Sequence, residues 1–94
     1  NYLHRPLFPR LIAALEEGGV LLYETFMIGN ERFGRPSNPD FLLRPGELLE
    51  AFAGALSVIA FEQGEVAQPK PAMVQRLCAI KSGEATQLRL PEPD

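Results

Sequence analysis

The sequence predicts an α/β domain, namely the carboxyl-terminal half of a doubly wound sheet that is parallel and ends in an antiparallel hairpin. Residues 1–8 are typical of the end of a buried strand that runs into a helix, and Gly18-Gly19 separates this helix from a continuous apolar strand. A helix, a glycine stop and an apolar strand form the second half of a βαβ unit. The given sequence starts at this predicted strand end, so we expect the half that would carry a glycine-rich cofactor loop to be missing from it.

The first helix is predicted from about Pro6 to Leu15. Proline is tolerated in a first helical turn, and Gly18 supplies a left-handed stop. One apolar stripe recurs at helical spacing, formed by Leu7, Phe8, Leu11, Ile12 and Leu15.

The apolar strand is predicted at Val20–Phe26. Its apolar residues do not alternate strictly with polar ones, which predicts burial on both faces and parallel pairing. The segment Gly29–Leu43 follows, and its glycine and prolines predict a long loop without regular structure. Such a loop is often a mobile functional lid or an insert, and we expect a lid here.

The remaining elements are a helix at about Pro45–Ala53 and strands at Leu56–Glu62 and Ala72–Ile80. The short connection between these strands predicts an antiparallel pair. Residues 1–81 therefore form the predicted half-domain, and residues 82–94 form a polar tail in which Leu88–Leu90 is at most a weak edge strand.

Composition excludes several classes of function. A chain of 94 residues makes one small domain, and its net charge of −3 argues against a nucleic-acid partner. No apolar stretch approaches the roughly 20 residues that cross a bilayer, so no membrane partner is expected. A single cysteine, Cys78, excludes an intramolecular disulfide and a cysteine-pair zinc site. A reducing cytoplasm is the simplest compartment.

Four segments resemble a known family. Residues 1–7, 18–26, 30–36 and 41–48 are similar to the carboxyl-terminal half of the class I S-adenosylmethionine-dependent methyltransferases, close to the tellurite-resistance methyltransferase-like bacterial group. The double glycine with its apolar strand is a weak match by itself. Its combination with the helix start Arg44-Pro45-Gly46-Glu47-Leu48 is more specific.

The resemblance implies a Rossmann-like sheet whose last strand is antiparallel and lies beside the fifth strand through a hairpin. It also implies S-adenosylmethionine as the cofactor of a full-length parent and a small molecule as the methyl acceptor. The family's glycine-rich loop and ribose-binding acid have no counterpart in this sequence. The cofactor-binding residues are therefore unknown, and the chain alone is predicted to bind no cofactor and to be inactive.

The first candidate site residues lie at the end of the strand predicted at the amino terminus, where ligands bind in open α/β sheets. The resemblance places this segment beside the acceptor, with His4 as the candidate catalytic base and Asn1, Tyr2 and Arg5 as substrate-binding residues. The structural alternative is that His4 and Arg5 only cap and solvate a helix start.

Further candidates lie at the end of the apolar strand and in the loop. Tyr23 and Glu24 are predicted to contact substrate, although Glu24 is equally well explained by an ion pair, for example with Arg5. In the loop, a lid that closes over the acceptor would use Arg32, Phe33 and Arg35. A solvated connection is the alternative, and no metal site is predicted.

Two functional hypotheses follow. The chain is either the acceptor-side fragment of a methyltransferase that acts on a small molecule, or a non-catalytic interaction domain that forms a homodimer through an exposed sheet edge.

Overall fold

The computed structural model describes residues 3–81. In chain order, its elements are α1 (Leu7–Ala14), β1 (Val20–Phe26), two 3-10 turns (Asn30–Arg32 and Pro39–Phe41), α2 (Glu47–Phe52), β2 (Ser57–Val66) and β3 (Ala72–Ile80). The bounds predicted for β1 and β3 are confirmed. The strand predicted at Leu56–Glu62 extends four residues further, and both helices are shorter than predicted.

The sheet has the strand order β1-β3-β2, with β3 antiparallel to both neighbours. Along its centre, Tyr23 of β1 and Phe61 of β2 both pair with Leu77 of β3. A register irregularity between Val58 and Ala60 bulges β2 near its start. The antiparallel hairpin of β2 and β3 is thus present.

The predicted doubly wound, Rossmann-like parallel sheet is wrong for residues 3–81. Each pair of neighbouring strands in this part of the chain is antiparallel. The physical reason is that the hairpin returns β3 beside β2, on the side that faces β1. β3 therefore separates β1 from β2, which run in the same direction without pairing.

Burial of β1 on both faces is also wrong. Leu21 is 8% exposed, whereas Leu22 is 76% exposed and Val20 is 53% exposed. Both α-helices pack on one face of the sheet, so the opposite face of β1 keeps its apolar side chains in contact with solvent.

The core lies between this covered face and the two helices. Phe52 and Leu48 of α2 are fully buried, as is Leu43 just before that helix. Phe8 of α1 joins the same cluster from the other helix, together with Leu77 of β3.

The segment 29–43 is more ordered than its composition predicts. Met27 and Leu43 form a parallel bridge, in which Ile28 N donates to Leu43 O at 2.9 Å and Leu43 N donates to Phe26 O at 3.0 Å. Gly29 starts the first 3-10 turn with a φ of 111°, a conformation that favours glycine. The segment is therefore an excursion that leaves β1 and returns to its edge.

Residues 82–94 lie outside the described residues, and so does the weak edge strand predicted at Leu88–Leu90. Within residues 3–81, the helices are too short to span a membrane.

Candidate functional site

The predicted site residues are distributed over four separate environments. Asn1 and Tyr2 lie outside the described residues. The others occupy the start of α1, the covered face of the sheet, the opposite face of the sheet, and the first 3-10 turn with the residues just after it.

Arg5 forms a clasp between the start of α1 and the segment before α2. Its Nη2 donates to Glu47 Oε1 at 3.1 Å, and its Nε donates to the second carboxylate oxygen. The guanidinium also donates to the carbonyl oxygens of Asp40, at 3.1 Å, and of Leu42, at 3.0 Å. Arg5 thus holds two chain segments together with nearly all of its donors.

The electrostatics of this clasp favour the protonated guanidinium of Arg5 and the ionised carboxylate of Glu47. Glu47 is only 6% exposed at its side chain. The hydrogen bond from Arg5 lowers the pKa of Glu47 against the opposing effect of burial, and the backbone N–H of Arg44 lowers it further. The same bond raises the pKa of Arg5. Glu24 is not the partner of Arg5, so the predicted Arg5–Glu24 pair is wrong.

His4, the candidate base, lies beside this clasp and is exposed. Its carbonyl oxygen accepts from Leu7 N at 3.0 Å, which closes the first turn before α1. Within residues 3–81, its imidazole ring has no hydrogen-bond partner. An exposed imidazole of this kind is available to a ligand.

Tyr23 lies on the covered face of the sheet. Its ring meets Phe8 edge-on at 5.7 Å between centroids and lies 6.2 Å from Phe52. Burial raises the pKa of the Tyr23 hydroxyl. The ring is thus part of an aromatic core cluster, which is a structural role.

Glu24 lies on the opposite face, because successive side chains of a strand alternate between faces. It pairs in register with Arg76, whose Nε is 3.5 Å from Glu24 Oε1 and 3.6 Å from Glu62 Oε1. The alternative of a strand-end ion pair is the one that the structure shows, with Arg76 as partner.

Arg32 and Phe33 are brought together in the first 3-10 turn. The Arg32 guanidinium lies 5.0 Å above the Phe33 ring, and its Nε donates to Gly29 O at 3.1 Å. Phe33 keeps 37% of its surface exposed, and Arg35 is exposed as well. Arg32 Nη2 also lies 3.9 Å from Glu65 Oε1. These side chains form a solvent-facing aromatic and cationic tip after β1, in which one carboxylate partly offsets the positive charge.

Two buried polar residues that sequence analysis missed fix this region. Asn30 is 2% exposed; its side chain donates to Pro36 O and accepts from Met73 N of β3. Gln75 is fully buried; its side chain accepts from Leu48 N and donates to Arg44 O. A polar residue inside the apolar run of β3 was a usable signal for Gln75, but its partners are distant in sequence.

The backbone amides at the start of α2 are the ones to compare with a cofactor loop. The one strand-to-α-helix connection within residues 3–81 runs from β1 to α2, and three amides around its end donate to side chains. Gly46 N donates to Gln63, Leu48 N to Gln75 and Arg44 N to Glu47. Within residues 3–81, no cluster of histidine, cysteine and acidic side chains is suited to a metal.

Comparisons with protein-family models, with curated proteins and with solved structures give no match to this chain.

Proposed function

We propose that this chain is the acceptor-side part of an S-adenosylmethionine-dependent methyltransferase that acts on a small molecule, with the cofactor held by residues outside 3–81. The sequence segments that resemble the family support the proposal. The antiparallel hairpin that places β3 beside β1 also supports the proposal, whereas the parallel sheet that the resemblance implies is not found in residues 3–81.

The carboxyl end of β1 carries the proposal. Arg5 is bonded to Leu42 O, and the next residue, Leu43, is bridged to Met27 directly after β1. The turn with Arg32 and Phe33 leaves from the same strand end. Three segments that are distant in sequence therefore meet at the carboxyl end of β1, and the proposal puts the acceptor there.

The proposal assigns a separate role to each described side chain at this end of the sheet. In this proposal the exposed His4 ring accepts a proton from the acceptor, because it has no competing partner within residues 3–81. Arg32 and Phe33 contact the acceptor, and Arg5 positions His4 through its bonds to Glu47. Tyr23 and Glu24 are assigned structural roles, since their contacts are already made.

Methyl transfer by the protein as its gene encodes it tests this function. We expect His4→Ala and Phe33→Ala to reduce transfer to small hydroxyl, carboxyl or thiol acceptors by about tenfold or more, with little change in equilibrium binding of S-adenosylmethionine. In equilibrium dialysis, which measures this binding, the 94-residue chain alone should bind no S-adenosylmethionine. Saturable binding by the chain alone, or no transfer by the encoded protein, would contradict the proposal. The reducing cytoplasm remains the proposed compartment.

A non-catalytic interaction domain is the second candidate, and the open edge of β1 favours it. Met27 N donates to Met73 O of β3, and ladder bonds alternate, so the backbone groups of Val20, Leu22 and Glu24 face away from β3. No strand within residues 3–81 pairs with them. A β-bulge discourages a strand from pairing at its edge. β2 has such a bulge, whereas the register of β1 has none.

Sedimentation velocity separates the two candidates. A homodimer through this edge predicts a concentration-dependent dimer that Leu22→Pro abolishes, because proline removes an edge donor. A protein that stays monomeric at all concentrations would contradict the homodimer hypothesis.

A further inference from the structure

The face of the sheet opposite the helices carries two rows of side chains, and we call it the outer face. Residues in direct register lie on the same face and next to one another. The first row is apolar and consists of Leu22, Cys78 and Ala60, and the second row is charged and consists of Glu24, Arg76 and Glu62. All six line a shallow hollow of about 310 Å³.

The charged row is not neutral. Arg76 lies between two carboxylates, at 3.5 Å from Glu24 and 3.6 Å from Glu62. One guanidinium thus faces two carboxylates, and one negative charge is left over. A partner that covered this row with apolar atoms alone would bury that charge without compensation, which is costly. The occupant must therefore supply a cation.

The apolar row sets the second requirement. Leu22 is 76% exposed, far more than any other large apolar side chain of the described residues. Its neighbours across the sheet are a small alanine and a half-buried cysteine. The hollow beside Leu22 therefore has room for one large apolar side chain from a partner.

The spacing of the two rows matches an α-helix. The rows are two residues apart along each strand, or roughly 6.6 Å. Side chains four residues apart on a helix are separated by about 6.0 Å along its axis. The three strands span about 9.6 Å from β1 to β2, close to the diameter of a helix with its side chains.

We propose that the outer face docks an α-helix of a partner polypeptide that presents a large apolar side chain and, four positions away, a lysine or arginine. The apolar side chain fills the hollow beside Leu22, and the cation contacts the carboxylate of Glu24 or Glu62 on the side that faces away from Arg76. A second copy of this face is a poor occupant, because its own charged row is also negative. This inference does not depend on the proposed function.

A designed peptide tests the proposal on the full chain. The probe is an alanine- and glutamine-based helical peptide with one leucine and a lysine four positions later, labelled for fluorescence anisotropy. The matched controls replace the lysine with glutamate, or move it two positions so that it points away from the leucine side. We expect saturable binding of the probe, about tenfold tighter than that of either control.

Protein variants locate the binding. Glu24→Gln combined with Glu62→Gln should reduce the preference for lysine over glutamate to less than about threefold, whereas Glu16→Gln, off the sheet, should leave it unchanged. Cys78 is the chain's single cysteine, so its alkylation by a maleimide reports coverage of the apolar row. Saturating probe should slow this reaction several-fold.

Three results of the peptide experiments would overturn the proposal. They are the absence of saturable binding, equal affinity for the lysine and glutamate peptides, and binding that leaves Cys78 as reactive as before. A dimer of the chain that protects Cys78 without peptide would assign the outer face to a second copy and would overturn it as well.

Discussion

Arg5 and Glu47 form a bidentate ion pair across 42 positions of sequence, with Nη2 to Oε1 at 3.1 Å and Nε to the other oxygen. The carboxylate also accepts from Arg44 N at 2.9 Å. The Glu47 carboxylate is largely buried and accepts from three donors. It links the start of α1 to the start of α2, at the point where segment 29–43 has returned to the edge of β1.

The first prediction concerns removal of the Glu47 charge. Glu47→Gln leaves the Arg5 guanidinium without its counter-ion and converts one acceptor into a donor, so we expect the free energy of unfolding to fall by about 1–3 kcal/mol. Urea unfolding followed by circular dichroism measures this. Glu50→Gln, an exposed site on the same helix, is the control and should change stability by less than about 0.5 kcal/mol. Equal effects of both variants would show that the ion pair is not stabilising.

The second prediction is a pH dependence carried by Glu47. The ordinary pKa of this carboxyl is 4.5 and folding lowers it, chiefly through the Arg5 hydrogen bond. A group whose pKa is depressed on folding contributes stability that is present above its unfolded pKa and is lost as pH falls through the folded pKa. The stability difference between the wild type and Glu47→Gln should therefore be constant above about pH 6 and shrink below about pH 4.5.

Thermal unfolding at a series of pH values measures this difference. Glu31 also has a lowered pKa, but both proteins retain it, so its effect cancels in the comparison. A difference that stayed constant down to the lowest pH at which both proteins fold would contradict the assignment to Glu47.

Local patterns predicted the elements better than their assembly. Val20–Phe26 and Ala72–Ile80 were predicted with the bounds that the structure has, because strand propensity is carried by the residues of each run. The direction in which β1 pairs was not predicted, because it depends on where the hairpin places β3. An apolar run such as that of β1 is compatible with either direction and with one exposed face.

The candidate site shows the same limit. Arg5 and Glu24 were both singled out as charged residues at strand ends, and both are in ion pairs, but with Glu47 and Arg76 instead of each other. The sequence indicated that partners were needed and could not indicate which, since Glu47 is 42 residues from Arg5. In contrast, Arg32 and Phe33 meet because they are adjacent in one turn.

The third prediction compares two glutamines that bind the backbone at the start of α2. Gln75 is fully buried and satisfies Leu48 N and Arg44 O, whereas Gln63 accepts from the exposed Gly46 N. Gln75→Met leaves the buried Leu48 N and the part-buried Arg44 O without partners, so we expect a loss of about 1–3 kcal/mol. Gln63→Met should cost less than about 1 kcal/mol, because water replaces the side chain. Chemical unfolding of both variants measures the contrast, and similar losses would contradict it.

The last prediction separates a structural phenylalanine from a functional one. Phe52 is fully buried, with its ring 5.2 Å from Phe8 and 6.2 Å from Tyr23, whereas Phe33 is 37% exposed beneath Arg32. Phe52→Ala leaves a cavity in the core, so the free energy of unfolding should fall by about 3–5 kcal/mol. Phe33→Ala removes only a half-exposed contact and should cost less than about 1 kcal/mol.

The two variants should also differ in activity if Phe33 binds the acceptor. In the encoded protein, Phe33→Ala should weaken use of the acceptor at nearly unchanged stability, which a KM that rises with little change in thermal midpoint would show. Phe52→Ala at a temperature where the protein stays folded should leave KM close to that of the wild type, because its ring contacts the core cluster and not the tip. If Phe33→Ala changed neither KM nor kcat, the tip after β1 would be a solvated turn, and the acceptor would have to be bound by other residues.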